Sequence, residues 1–314
     1  MITNSMIAYG DQLGAQMTAF AELYYIAKEN KQDICFFKEF RNFRRRFLFL
    51  ESFKIPVKMI RRLFLPIPEL YCFQFKKKKK YKSVENYKRI YKSKFYAKFD
   101  HYFYKGCKLF YKDFIDLDGL NGISCDSKLL KLDSDKNYDI HSGFGTYQDW
   151  KKYEKEICSI FSFNSDIIME GDQIYNSLNI KKKKVSVHFR RGDYLILSSL
   201  NLGLDYYKKA LENFDKDQYG LLIFSDDIEY CKNIGIFDGY DVNYMDSHSA
   251  AVDMYIMSLC HSNIIANSSF SFWGAFLNRH LDKKVVCPHD FIGQSDKNNN
   301  YINGKYYPHT WIAL

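Results

Sequence analysis

The pattern of apolar and polar positions is most regular in the second half of the chain. Val185, Val187 and Phe189 alternate with polar residues, which is the two-residue period of a β-strand. Apolar runs predict three further strands, at 221–224, 263–266 and 284–287. Helical spacing predicts three helices, at 205–214, from Val252 to Leu259, and through Asn278. Strands alternating with helices predict an α/β fold with a parallel sheet covered on both faces.

The first half opens with a pattern typical of a nucleotide-binding α/β unit. We predict a short strand at 6–9, a glycine-containing loop at 10–16, and a helix on which Met17, Phe20 and Tyr24 share one face. The loop lacks the lysine of a P-loop and the three glycines of a dinucleotide fingerprint, so an ordinary strand-to-helix turn remains the alternative. A strand is also predicted within 46–55.

Residues 148–178 have helical spacing and are predicted to bridge two halves of the chain. We place the domain boundary near residue 180, giving domains 1–180 and 181–314. The run Lys181–Lys184 at this point is interpreted as a linker or strand-entry loop.

Three polar clusters directly follow predicted strands: 188–193, 225–227 and 267–271. In a parallel sheet they would meet at the carboxyl edge, where open α/β sheets bind ligands. Arg190 and Arg191 are adjacent at the end of one strand, and the planar guanidinium group matches phosphate oxygens two at a time. The sequence therefore predicts a diphosphate clamp, with a surface pair in salt bridges as the alternative.

The other two clusters have a structural and a functional interpretation. Asn267, Ser268 and Ser269 stand where a helix begins, so they either cap it or present hydroxyl and N–H groups to a phosphate. Asp226 and Asp227 either cap a helix or accept hydrogen bonds from a base or ribose.

The composition is sufficient for an apolar core and gives the chain a net positive charge. The 314 residues are 46% hydrophobic and 18% aromatic, which excludes disorder of the whole chain, and the net charge is +9. Much of the excess lies in the first third, at Arg41, Arg44–Arg46, Arg61, Arg62 and Lys76–Lys80. This charge favours contact with anionic lipid, phosphorylated substrate or nucleic acid, or is a solvated surface.

The cysteines and the N-terminus predict a cytoplasmic location. The eight cysteines form no Cys-x-x-Cys pair, and several lie in apolar runs, so we expect reduced, buried thiols. No signal-peptide pattern is evident at the N-terminus, and charges interrupt the apolar stretch 47–75, which could lie against a membrane but is not expected to span one.

Three Asp-x-Asp pairs, at 116/118, 133/135 and 215/217, raise a metal-dependent alternative. Because arginines are available for the phosphates, we expect no metal.

Several ordered motifs together resemble one family. They are His188–Tyr194, Phe224–Asp227, Asp253–Cys260 with Ile264–Gly274, Leu202–Leu211, Gly145–Gln148, and Leu13-Gly14 with Gln16-Met17. This set resembles the α-1,2-fucosyltransferase family, glycosyltransferase family 11, from residue 6 to about residue 291.

The resemblance implies a GT-B-like fold: two Rossmann-type domains whose parallel sheets face a central cleft, an acceptor-side domain first and a GDP-sugar-binding domain second. It implies inverting transfer of L-fucose from GDP-β-L-fucose to O2 of a terminal galactoside, without metal or cofactor. Arg190 and Arg191 would neutralise the pyrophosphate, assisted by Asn267, Ser268, Ser269 and Ser271. His188, Asp226 and Asp227 would lie around the nucleoside or leaving group, and Gly14 and Gln16 would line the first-domain loop against the donor.

The chain departs from the family pattern in that loop, where Asp11, Gln12 and Ala15 replace Gly, Gly and Asn. Asp193 is our candidate for the catalytic base, with Asp11 second; Asp193 alternatively orients Arg190.

Alternative functions are transfer of another nucleotide sugar or to another linkage, a catalytically inactive sugar-binding relative, and a basic nucleic-acid-binding module. No nucleic-acid motif is recognised, so we expect no nucleic-acid partner. Synthesis of a lipid-linked bacterial surface glycan at the inner face of the plasma membrane fits the charge.

Overall fold

The computed structural model describes residues 1–4, 7, 12–38, 48–61, 113–120, 131–142, 146–195, 200–246, 248–291 and 306–314. Asp11, Gly145, Lys76–Lys80 and the arginines at 41, 44–46 and 62 lie outside the described residues. No helix among the described residues combines the length and apolar character needed to cross a membrane.

The first half contributes short strands and one long helix. The strands are β1 (Ile2–Thr3), β2 (Cys35–Lys38), β3 (Lys58–Arg61), β4 (Ile115–Leu120) and β5 (Tyr138–Ser142). The helices are α1 (Leu13–Glu29), α2 (Leu48–Ser52), α3 (Tyr147–Trp150), α4 (Glu154–Ile160) and α5 (Ser165–Ser177), with a 3₁₀ turn at Lys151–Tyr153. Strands pair in parallel in the orders β1-β5-β4 and β2-β3.

Two predictions in this half are wrong. The opening strand is Ile2–Thr3, and Ile7, the described residue of the predicted strand at 6–9, lies in a turn. The strand predicted within 46–55 is instead the helix Leu48–Ser52. Phe49 and Phe53 are one helical turn apart and both buried, Phe49 against Phe20 and Phe53 against Phe161. A short apolar run of this kind is compatible with the period of a helix and with that of a strand. The tertiary contacts of the two phenylalanines favour the helix.

Among the described residues, the second half contains the four strands and three helices that were predicted, together with two strands and one helix that were not. Its strands are β6 (Lys183–Phe189), β7 (Tyr219–Ser225), β8 (Val242–Met245), β9 (Ser262–Ile264), β10 (Val285–Cys287) and β11 (Ile312–Ala313). Its helices are α6 (Leu204–Leu211), α7 (Ile228–Asn233), α8 (Ala250–Leu259) and α9 (Ser269–Phe276), with a 3₁₀ turn at Gly192–Leu195. Lys183 and Lys184 belong to β6, so the lysine run partly enters the strand.

Within the described residues, β6–β11 form a sheet of six parallel strands in the order β11-β10-β9-β6-β7-β8. Counted from β6, this is the strand order 3-2-1-4-5-6 of a Rossmann sheet. Connections leave β6 in one direction and β9 in the other, so the switch point of the topology lies between these two neighbours. Ligands bind outside the carboxyl ends of strands at such a point.

One apolar core joins α1 to α9. Trp273 of α9 is fully buried, stacks on Trp150 at a centroid distance of 5.5 Å, and contacts Phe161. Its indole N–H donates to Thr18 Oγ1 at 3.0 Å. Packing thus fixes the start of α1 beside the start of α9, while the division of the chain near residue 180 remains a prediction.

Candidate active site

The carboxyl ends of β6 and β7 bring two arginines and two aspartates together. Arg190 Nη1 lies 2.8 Å from Asp226 Oδ2, and Arg191 Nε lies 3.1 Å from Asp227 Oδ2. The Arg191 main-chain N–H also donates to Asp226 Oδ1 at 2.9 Å. The predicted clamp and the predicted acidic cluster are therefore one unit, in which each carboxylate holds one guanidinium.

The two arginines are held differently. Asp226 engages Arg190 at a terminal nitrogen, whereas Asp227 engages Arg191 at Nε, near the root of the guanidinium. Among the described residues, neither terminal nitrogen of Arg191 has a hydrogen-bond partner. Arg191 therefore retains the two donors that a bidentate phosphate contact uses.

Asp227 also has a structural task. It is the N-cap of α7, and its Oδ1 accepts the Tyr230 N–H at 3.2 Å. The capping interpretation of Asp227 is confirmed, and the same side chain binds Arg191. A nucleoside that contacts Asp226 or Asp227 would share a carboxylate that already binds an arginine.

Gly192 allows this arrangement. A Cβ at Gly192 would lie 2.5 Å from Asp226 Oδ2, so a side chain there would push the carboxylate away from Arg190. Asp193 follows in the 3₁₀ turn Gly192–Leu195; its side chain lies outside the described atoms.

His188 is a neutral imidazole near the carboxyl end of the central strand β6. It is 6% exposed, and burial, then the charge of Arg190, lowers its pKa to about 3. Its ring lies 5.5 Å from that of Phe270, and its Nδ1 has no hydrogen-bond partner among the described residues. His188 can therefore exchange hydrogen bonds with a ligand but cannot supply positive charge near neutral pH.

The turn from β9 into α9 lies on the other side of the switch point. Ser268 is the N-cap of α9, but its side chain makes no capping hydrogen bond. The capping interpretation therefore does not apply to this hydroxyl. Ser269 begins the helix, and neither hydroxyl has a partner among the described residues. Uncapped N–H groups and open hydroxyls at a helix start favour an anion.

Two other residues of that cluster have structural contacts. Asn267 donates to the Leu200 carbonyl at 2.9 Å, and its buried Oδ1 is unpartnered among the described residues. Ser271 is buried and donates to the Ala266 and Ser268 carbonyls, at 3.4 and 3.3 Å. Ser271 therefore stabilises the turn in this structure.

The predicted first-domain loop is partly helical. Gly14 and Gln16 lie in the first turn of α1, and both are buried. A Cβ on Gly14 would lie 2.4 Å from the Phe270 amide nitrogen, so the first turns of α1 and α9 touch. Two positive helix ends side by side repel each other in isolation, and an anion between them would relieve this.

Sequence reasoning assigned no role to three nearby groups. Tyr230 stacks on Arg191, and Tyr194 lies beside Arg190 with its hydroxyl bound to the Asn267 carbonyl at 3.0 Å. Beyond β8, His248 Nδ1 lies 3.1 Å from Asp253 Oδ1, and burial raises the pKa of Asp253 to about 6. The signal that could have found the two tyrosines is position, because they stand five and six residues after the predicted strand ends at 189 and 224. β8 was not predicted, so position gave no such signal for His248 and Asp253.

The family follows from comparison with known proteins. The family model described as Glycosyl transferase family 11 matches residues 5–307. The chain belongs to glycosyltransferase family 11. The resemblance inferred from the motifs is therefore confirmed.

Two relatives agree with this family 11 assignment. O-antigen biosynthesis glycosyltransferase WbnK of Escherichia coli is 31% identical over 200 residues, covering 59% of this chain and 63% of WbnK. An Escherichia coli alpha-1,2-colitosyltransferase is 36% identical over 125 residues, covering 37% of this chain and 43% of that protein. The matches thus span less than two thirds of either relative.

Crystalline apo POFUT1 superimposes with a TM-score of 0.50 at 12% identity, covering 91% of this chain and 96% of that chain. This likeness concerns the fold alone. It supports the GT-B-like class expected for a family 11 chain, while the central cleft between two domains remains a prediction.

Proposed function

We propose that this family 11 protein transfers L-fucose from GDP-β-L-fucose to O2 of a terminal β-galactoside, with inversion at the anomeric carbon. The observation that carries the proposal is the Arg190–Arg191 pair at the switch point of a Rossmann sheet. Arg191 keeps both terminal donors open, and the uncapped start of α9 lies across the switch point. Cations and helix N–H groups that converge on one edge suit a diphosphate.

In the proposed reaction the sugar–oxygen bond breaks and negative charge grows on the β-phosphate of GDP. Arg191 is positioned before the donor arrives, so its attraction to that charge requires little rearrangement in the transition state. Arg190 leaves its ion pair with Asp226 and binds a phosphate oxygen instead. Ser268, Ser269 and the α9 N–H groups complete the anion site, with Gly14 and Gln16 beside it on α1.

The acceptor hydroxyl must lose a proton as it attacks. Asp193 is proposed as the base because it directly follows the arginine turn. Asp11 remains the second candidate. If Asp193 instead orients Arg190, its removal alters donor binding more than the pH profile.

The proposal requires no metal. The Asp133 and Asp215 carboxylates each accept the main-chain N–H two residues on, at 3.1 and 3.0 Å, which gives both a local structural role. Activity unchanged by excess EDTA would support the arginine mechanism, and loss restored by Mg²⁺ or Mn²⁺ would favour the metal-dependent alternative.

A second sugar donor should be compared directly with GDP-fucose. The colitosyltransferase shares 36% identity over 125 residues, so a GDP-linked colitose is the specific alternative to GDP-fucose. The acceptor would belong to a bacterial surface glycan, in keeping with the O-antigen biosynthesis for which WbnK is named.

The deciding experiment incubates purified protein with GDP-fucose or GDP-colitose and with lactose or N-acetyllactosamine. Product linkage and anomeric configuration are read by NMR. An α-1,2-fucosyl product confirms the proposal. Transfer of colitose alone corrects the donor, and GDP binding without hydrolysis or transfer identifies an inactive relative.

Location at the inner face of the plasma membrane is part of the proposal. The net charge of +9 supports binding to anionic lipid. Co-sedimentation with phosphatidylserine vesicles, weakened by salt, tests it. Steeply salt-dependent binding to DNA or RNA without GDP binding would instead support the nucleic-acid alternative.

A further inference from the structure

Tyr230 covers one face of the Arg191 guanidinium. The Arg191 Cζ atom lies 3.3 Å from the centroid of the Tyr230 ring. A planar guanidinium whose central carbon is this close must lie nearly parallel to the ring, because a steep tilt would drive a nitrogen into it. The contact combines cation–π attraction with stacking, for which arginine is well suited.

Asp227 links the same two residues. One of its oxygens accepts the Tyr230 main-chain N–H at 3.2 Å and the other accepts Arg191 Nε at 3.1 Å. The carboxylate thus fixes the start of α7, where Tyr230 is placed, and the root of Arg191. Arg191, which follows β6, and Asp227 and Tyr230, which follow β7, therefore each contact the other two.

The unit restricts the arginine to one orientation. Nε is bound, one face is covered by the ring, and the Arg191 side chain is only 17% exposed. An arginine side chain otherwise loses rotamer freedom when it binds a phosphate. Here much of that freedom is already lost, while the two terminal nitrogens stay open.

We infer that Tyr230 is a positioning residue, whose aromatic face sets the plane in which Arg191 presents its terminal nitrogens to the donor diphosphate. The inference deepens the proposed function and rests on it. The hydroxyl of Tyr230 is not needed for this role, since the contact is with the ring.

The test is a double-mutant cycle between Tyr230 and Arg191, measured as GDP affinity by calorimetry and as kcat and KM with GDP-fucose. Tyr230→Phe should bind GDP like the wild type. Tyr230→Leu should weaken GDP binding about 3- to 30-fold, the range of a cation–π contact, without changing the acceptor KM. In an Arg191→Ala background Tyr230→Leu should have no further effect.

Tyr244 supplies the matched control. It is a partly buried tyrosine of the same apolar cluster, on β8. Tyr244→Leu makes the same chemical change, and its effect should be the same with and without Arg191. Thermal unfolding of each variant checks that it is folded.

The outcomes separate the two proposals. If Arg191→Ala weakens GDP binding but Tyr230→Leu is silent or simply additive with it, the role of Tyr230 is wrong and the arginine clamp stands. If Arg191→Ala binds GDP like the wild type, the clamp fails and the inference about Tyr230 fails with it. If Tyr230→Phe lost GDP binding, the hydroxyl would be required, and the conclusion that the ring is sufficient would be wrong.

Discussion

Gly14 and Phe270 touch through their main chains. A Cβ on Gly14 would lie 2.4 Å from the Phe270 amide nitrogen and 2.6 Å from its Cα. Both partners are backbone at the start of a helix, so neither can rotate away. This contact brings the first turn of α1 to the turn that carries Ser268 and Ser269.

We therefore expect Gly14→Ala to destabilise the protein by about 1–3 kcal/mol, the usual cost of overpacking. It should also weaken GDP binding, because α9 must shift. Gly203→Ala is the control, since a Cβ there meets nothing within 4 Å. Urea unfolding and calorimetry measure both effects; equal stability of the two variants would contradict the close approach.

The two arginines should differ in their contributions. Arg191→Ala removes a preset contact to the leaving group and should lower kcat by about 10²–10³. Arg191→Lys should restore little, because lysine cannot form the planar fork. Arg190→Ala should cost less, since Arg190 must first leave Asp226, which holds it at 2.8 Å.

Steady-state kinetics with GDP-fucose measure this order, with circular dichroism to check the fold. Near-normal turnover by both alanine variants would remove the central assignment.

Asp193→Asn tests the proposed base. If Asp193 accepts the acceptor proton, kcat should fall by about 10²–10⁴ while GDP affinity is kept, and the acidic limb of the pH–rate profile should disappear. A loss confined to GDP affinity would assign Asp193 to the orientation of Arg190. Asp11→Asn, measured in parallel, tests the second candidate.

His188 should make the protein sensitive to acid. Burial lowers its pKa in the folded state to about 3, whereas the unfolded chain binds the proton near pH 6.5. Stability from the neutral imidazole is present above pH 6.5 and is lost as the pH falls toward 3, by about 1.4 kcal/mol for each pH unit.

Urea unfolding at pH 7 and pH 5 should show that His188→Gln loses less stability on acidification than the wild type. Parallel losses in the two proteins would show that His188 does not carry this dependence.

Asp253 should act with the opposite sign. Burial, with the charges of Asp246 and Glu170, raises its pKa to about 6, although His248 opposes the shift. Its contribution is fully present below pH 4 and is lost as the pH rises through 6, by about 3 kcal/mol.

Compared with the wild type, Asp253→Asn should therefore gain relative stability between pH 4 and pH 7.5. Urea unfolding midpoints of both proteins at these two pH values test this. If the difference between the two midpoints is the same at both pH values, Asp253 does not cause the pH dependence.

The sequence anticipated the second sheet because its signals are local. The alternation around Val187 predicted β6, and the apolar run ending at Phe224 predicted β7. Five cysteines of the described residues, at 35, 158, 231, 260 and 287, are buried, as the apolar runs around several of them indicated. Where the apolar run was short, as at Leu48–Ser52, helix and strand could not be separated without the contacts of Phe49.

The sequence by itself determined four of the six described strands of the second sheet, the polar clusters at the strand ends and, through its motifs, membership of glycosyltransferase family 11. It did not determine that Asp227 binds Arg191, that Tyr230 lies beneath that arginine, or that Gly14 meets Phe270. Arg191 and Asp227 are 36 positions apart, and Gly14 and Phe270 belong to opposite ends of the chain. Periodicity reports which face of an element is buried, but only the packing of strands and helices decides which side chains meet.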